Sequence, residues 1–95
     1  MKYMVIETFR PGCRASVYER FREKGRMLPE GLRYLDSWVE EDGDRCFQLM
    51  ETDDPGLFGV WQAQWADLTE FEILPVLGSA EAAQRAGVRR DAPGP

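Results

Sequence analysis

The side chains able to do chemistry in this chain are notable first for what is missing. Among 95 residues there is no histidine. That removes the commonest general base and the commonest metal ligand, and with them Ser-His-Asp and Cys-His catalysis within one chain. Any chemistry must rest on Asp, Glu, Tyr, Cys, Lys or Arg. Asp36 stands between Tyr34 and Trp38 at strand spacing, so a regular strand would put all three on one face. A carboxylate held among aromatics titrates high and suits a general acid or base, with Tyr34 orienting a substrate. Glu7 lies inside an apolar strand, where a charge is costly unless paired. A neighbouring strand, Arg33 or a dimer seam would supply its partner. These three residues, Asp36, Tyr34 and Glu7, are the catalytic candidates. Trp38, Gln48 and Trp61 are the ligand-binding candidates.

Other reactive groups read as structural. Cys46 shares a strand face with Gln48 and, with no histidine to activate it, reads as a small apolar residue. Cys13 follows Pro11-Gly12 in a loop and reads as an accessible thiol. The two cysteines lack metal-ligand spacing, and adjacent Asp53-Asp54 is a weak metal signal that helix capping explains for Asp54. The reading therefore calls for no metal and no cofactor, and the lack of histidine counts against a haem or metal handler.

Composition sets the frame. The chain is 43% hydrophobic and 12% aromatic with a net charge of −5. This is a globular composition with room for one domain. The negative charge argues against nucleic acid and anionic membranes as partners. No run approaches a membrane span and no export signal is read, so a cytoplasmic, reduced protein is expected.

The elements that must position these groups follow from pattern. Residues 2–9 alternate β-branched and aromatic types and read as a strand, apolar on both faces. Ser16 and Glu19 fit a capping box opening a helix, with Val17, Phe21 and Leu28 near one face. Arg20, Arg22, Glu23, Lys24 and Arg26 read as its solvated face, and Pro29 and Gly31 as its end. Gly25 weakens this helix and admits a close neighbour. Residues 32–40 and 45–52 read as a hairpin around a two-residue type I′ turn at Asp42-Gly43. That register faces Glu40 with Arg45, Val39 with Cys46 and Trp38 with Phe47. It puts Tyr34, Asp36, Trp38, Phe47 and Leu49 on one face and Leu35, Ser37, Val39, Cys46, Gln48 and Met50 on the other. A second helix starts at Asp54-Pro55, runs to about Asp67, and carries Leu57, Trp61, Trp65 and Leu68 on one stripe. The last strand, 70–77, contains Pro75, which confines it to a sheet edge or a bulge. A domain over 1–78 is followed by an extension, 79–95, with a short helical turn and a fraying tail from 87.

The order βαββαβ is that of a ferredoxin-like α+β fold, a four-stranded antiparallel sheet with two helices on one face. The other face stays bare in a monomer. Apolar residues there predict a twofold dimer packed sheet against sheet.

The segments 25–34 and Asp36-Ser37-Trp38-Val39 resemble a known family. So do Cys46–Glu51, Asp53-Asp54-Pro55, Phe71-Glu72 and Pro75-Val76. The chain is similar, over roughly residues 1–83, to the small bacterial proteins grouped as domain of unknown function 3303. The resemblance implies a dimeric α/β-barrel of ferredoxin-like fold and no established activity. Two functions are expected from different classes. One is a homodimer binding a small apolar or aromatic metabolite, with or without cofactor-independent carboxylate acid–base chemistry. The other is a non-catalytic structural or protein-interaction module.

Overall fold

A computed structural model describes residues 1–87. The elements are β1 (Lys2–Phe9), α1 (Arg14–Lys24), β2 (Arg33–Val39), β3 (Arg45–Glu51), α2 (Leu57–Gln62), β4 (Thr69–Val76) and α3 (Ser79–Arg85). The strands form one sheet in the order β2-β3-β1-β4, with every neighbouring pair antiparallel. This is the ferredoxin-like α+β fold. β4 lies at an edge, as Pro75 requires. The expected helical turn after β4 is α3, while the tail expected to fray falls, apart from Gly87, outside the described residues.

The two faces of the sheet differ because alternate residues of each strand point opposite ways. Val5 and Glu7 of β1 and Gln48 and Met50 of β3 face the helices and are buried. They meet Val17 of α1, Phe58 and Trp61 of α2, and Trp65 beyond it in one core. Met4, Ile6, Phe47 and Leu49 alternate with them on the open face. There the cross-strand rows run Trp38–Phe47–Ile6 and Leu49–Met4–Leu74. Trp38 is 52% exposed and Leu74 is also exposed.

Three local expectations are corrected. The helix α1 starts at Arg14 with Cys13 as N-cap, and no side chain caps it, so Ser16 lies inside the first turn. It ends at Lys24, four residues before Leu28. Gly25 takes φ +67° and ψ −159°, a conformation nearly reserved for glycine, and its N–H bonds the Phe21 carbonyl. Second, α2 is a short helix that stops at Gln62, with turns continuing to Leu68. The expected cap also moves: Gly56, not Asp54, is the N-cap, no side chain caps α2, and the Asp54 Oδ1 accepts the Gly56 N–H at 3.0 Å in the turn before it. Third, the hairpin turn is not type I′, which needs positive φ at both central residues. Only Gly43 has it, at +84°. The connection is a four-residue loop, 41–44, closed by a 2.8 Å bond from Glu40 N–H to the Arg45 carbonyl. Arg14 braces it, donating to the Asp42 carbonyl at 2.9 Å and to Asp44 Oδ1 at 2.7 Å.

That loop is symmetric about the predicted one, so the register near it holds. Val39 faces Cys46 and Trp38 faces Phe47. Glu40 pairs with Arg45 through two bonds of 2.7 and 2.9 Å. Beyond Asp36 the register slips. Tyr34 pairs with Met50 and Asp36 with Leu49, so Leu35 is the extra residue of a β-bulge. The bulge turns Tyr34 to the helix side, where its hydroxyl meets Ser37 Oγ at 2.6 Å. Tyr34, Asp36 and Trp38 therefore do not share a face.

Candidate functional site

Between α1 and the sheet lies a cleft of about 180 Å³. Its walls are mostly apolar: Phe9, Val17, Tyr18, Phe21, Trp61 and Trp65 among them. The polar groups that reach it are few. They are Glu7, Arg26, Ser37, Cys46 and Gln48. A concave, apolar site with a few converging polar groups is the usual form of a small-molecule site.

Glu7 sits at the floor because it follows Val5 by two residues on the helix side of a central strand. Its flanking strands place Cys46 and Phe71 directly opposite it. It is only 5% exposed, and its Oε2 has no hydrogen-bond partner among the described residues. Burial pushes its pKa up from 4.5 to about 7, against the opposing pull of the Arg26 charge. The expected partner, Arg33, is taken by Glu51 on the open face. The cation near Glu7 is Arg26 instead.

Arg26 was expected on a solvated helix face. It lies beyond the helix, because Gly25 turns the chain back over the sheet. Met27 follows at φ +59°, a left-handed conformation that costs a non-glycine residue roughly 1–2 kcal/mol. Two indoles hold this turn. Trp61 Nε1 and Trp65 Nε1 donate to the Arg26 carbonyl at 2.9 and 3.1 Å. The guanidinium is thereby set 3.6 Å over the Tyr34 ring and 5.0 Å from the Phe21 ring centre. Its Nε donates to Gln48 Oε1 at 3.4 Å. Arg20 fixes the other end of the wall, bridging Asp67 with two bonds of 2.7 Å.

Of the residues singled out from sequence, the structure brings Glu7, Gln48 and Trp61 together in the cleft, with Tyr34 behind Arg26. Asp36 and Trp38 stand apart on the open face. Asp36 is exposed and its Oδ1 accepts the Ser37 N–H at 2.8 Å. Cys46 lines the cleft, but burial and then the Glu7 charge raise its thiol pKa to about 11, so it stays protonated at neutral pH. Sequence reasoning missed Arg26. The signal was Gly25, which ends a helix as readily as it weakens one.

Since the folded pKa of Glu7 is raised, the folded state holds a proton that the unfolded chain releases. Stability is then full below pH 4.5 for this group and falls as pH rises toward 7, by on the order of 3 kcal/mol. No histidine titrates in that window to mask it. Urea unfolding across this range should show wild type losing stability and E7Q nearly flat. A parallel pH dependence in both would place the proton elsewhere.

No curated protein and no solved structure matches the chain. A family model does match, over residues 1–88 and so across every element just described, and the chain belongs to that family, Domain of unknown function (DUF3303).

Proposed function

We propose that this protein binds a small apolar or aromatic metabolite in the α1–sheet cleft and moves a proton on it with Glu7, without a cofactor. The observation that carries the reading is the buried Glu7 carboxyl, which lines an apolar cleft and keeps one oxygen without a hydrogen-bond partner among the described residues. A carboxyl with a pKa of about 7 is half ionised at neutral pH, so it can both take and return a proton. The matching chemistry is removal of a proton from carbon next to a carbonyl. Charge then develops on the carbonyl oxygen, and the Arg26 guanidinium is the group to meet it. Gln48 Oε1 accepts the Arg26 Nε–H and so orients the guanidinium, and the two tryptophans add apolar wall.

The test is deuterium uptake by single-ring ketones in heavy water, followed by proton NMR. Wild type should exchange the carbon-bound hydrogen, and E7Q should be slower by about 100-fold or more. Equal rates in the two chains contradict the proton-transfer reading and leave binding alone.

The open sheet face supports a second element of the proposal, a twofold dimer in the manner of an α/β-barrel. Met4, Ile6, Phe47, Leu49, Leu74 and Trp38 form a contiguous apolar surface of a kind that usually marks an interface. The net charge of −5 opposes an anionic lipid surface. A second copy offers the same flat apolar surface and satisfies both faces at once. Sedimentation at micromolar concentration should give a dimer for wild type and a folded monomer for L49E. A monomeric wild type contradicts this, and would also remove the interaction-module alternative in its self-association form.

A further inference from the structure

The arginines are spent unequally. Arg10, Arg14, Arg20, Arg33, Arg45 and Arg85 each reach a carboxylate. Arg22, which is exposed, and Arg26 make no such ion pair among the described residues, and of these Arg26 is half-buried and stacked between two rings. A guanidinium carries five N–H donors in a fixed plane, and only Nε is committed, to Gln48. The side chain is pre-oriented and its remaining donors lack an anion. That is the arrangement expected of an anion-binding group, since guanidinium matches a carboxylate or enolate edge with two parallel bonds.

The cleft limits what can bring the anion. Its volume, about 180 Å³, compares with cavities of ~150 Å³ that accept one benzene. One ring fills it. Phe9, Tyr18, Phe21, Trp61 and Trp65 offer edges and faces suited to a flat ring.

The floor adds a second condition. An anion on Arg26 beside an ionised Glu7 would place two negative charges around one guanidinium. Protonation of Glu7 removes the repulsion and makes it a donor. The other groups around Glu7 do not supply that proton or a second cation. Cys46 of β3 holds its proton, β4 presents Phe71, and α2 and its following turn present indoles. From α1 come Val17, Tyr18 and Phe21, and from β2 Ser37 and Val39, with Tyr34 beneath Arg26.

We infer that the cleft takes a planar, single-ring organic monoanion, its charged group on Arg26, and that each anion enters together with one proton on Glu7. This goes beyond the proposed function and rests only on the cleft being a ligand site: an anion bound against protonated Glu7 is held without turnover, distinct from the neutral ketone from which ionised Glu7 takes a proton. It names the ligand class and couples occupancy to pH.

The probes are benzoate and, as its neutral counterpart of like size, benzyl alcohol, followed by NMR titration of the full chain. Benzoate should bind more tightly than benzyl alcohol. Its Kd should rise about tenfold per pH unit above the Glu7 midpoint, as one-proton linkage requires. In E7Q that slope should vanish while binding persists. In R26M, checked for folding by its thermal melt, benzoate should lose its advantage and benzyl alcohol should bind as before. If both probes bind equally well, with no pH slope, the anion inference is overturned while the cleft reading stands. If neither shifts any cleft resonance, the cleft reading fails and takes this inference with it.

Discussion

One carbonyl oxygen organises the cleft side of this molecule. The Arg26 carbonyl accepts both the Trp61 and the Trp65 indole N–H, from residues four apart on one side of α2 and the turn after it. Buried indole N–H groups need acceptors, and here both needs are met at one point. The cost is a backbone in which Gly25 and Met27 both take positive φ. Hydrogen bonds net roughly 1 kcal/mol each, so two of them offset about the strain of one left-handed residue. The consequence is positional. Without this anchor the 25–27 turn would have no reason to carry a guanidinium back over the sheet, and Glu7 would face an empty apolar wall.

The sheet divides the work between its faces. On the helix side, a carboxyl, an amide and a guanidinium are gathered under tryptophan and phenylalanine. On the other, apolar rows are left open. The bulge at Leu35 decides which side the β2 residues join. It sends Tyr34 under Arg26 and leaves Asp36 and Trp38 outside. A polar group in the core is tolerated when its alternatives are worse, and for Glu7 the compromise is a proton rather than a partner. The absence of histidine makes this compromise more consequential, because no other side chain type in the sequence titrates near neutrality unperturbed.

The fold was legible because its signals are local and strong. Alternation in β1, the Asp42-Gly43 loop, the Glu40–Arg45 pair and Pro75 at an edge each act through neighbours in the chain or across one hairpin. The cleft was half legible. Glu7 stood out as a charge inside an apolar run, Gln48 by its strand face and Trp61 by its helical stripe, and all three line the cleft. Arg26 was not legible, since a helical count past Gly25 assigned it to solvent, and the tertiary bonds that end the helix there come from residues 35 and 39 positions away. Asp36 was misplaced relative to Tyr34 by one bulged residue, because a single insertion inverts the face of everything beyond it.

The account stands on Glu7 being a buried, neutral-poised acid whose proton is set by burial against Arg26. Titration of the Glu7 side-chain carboxyl by carbon-13 NMR measures that directly. The midpoint should fall near pH 7 in wild type and move higher in R26M, where the opposing positive charge is gone. A midpoint at the ordinary glutamate value of about 4.3, unmoved by R26M, would contradict it.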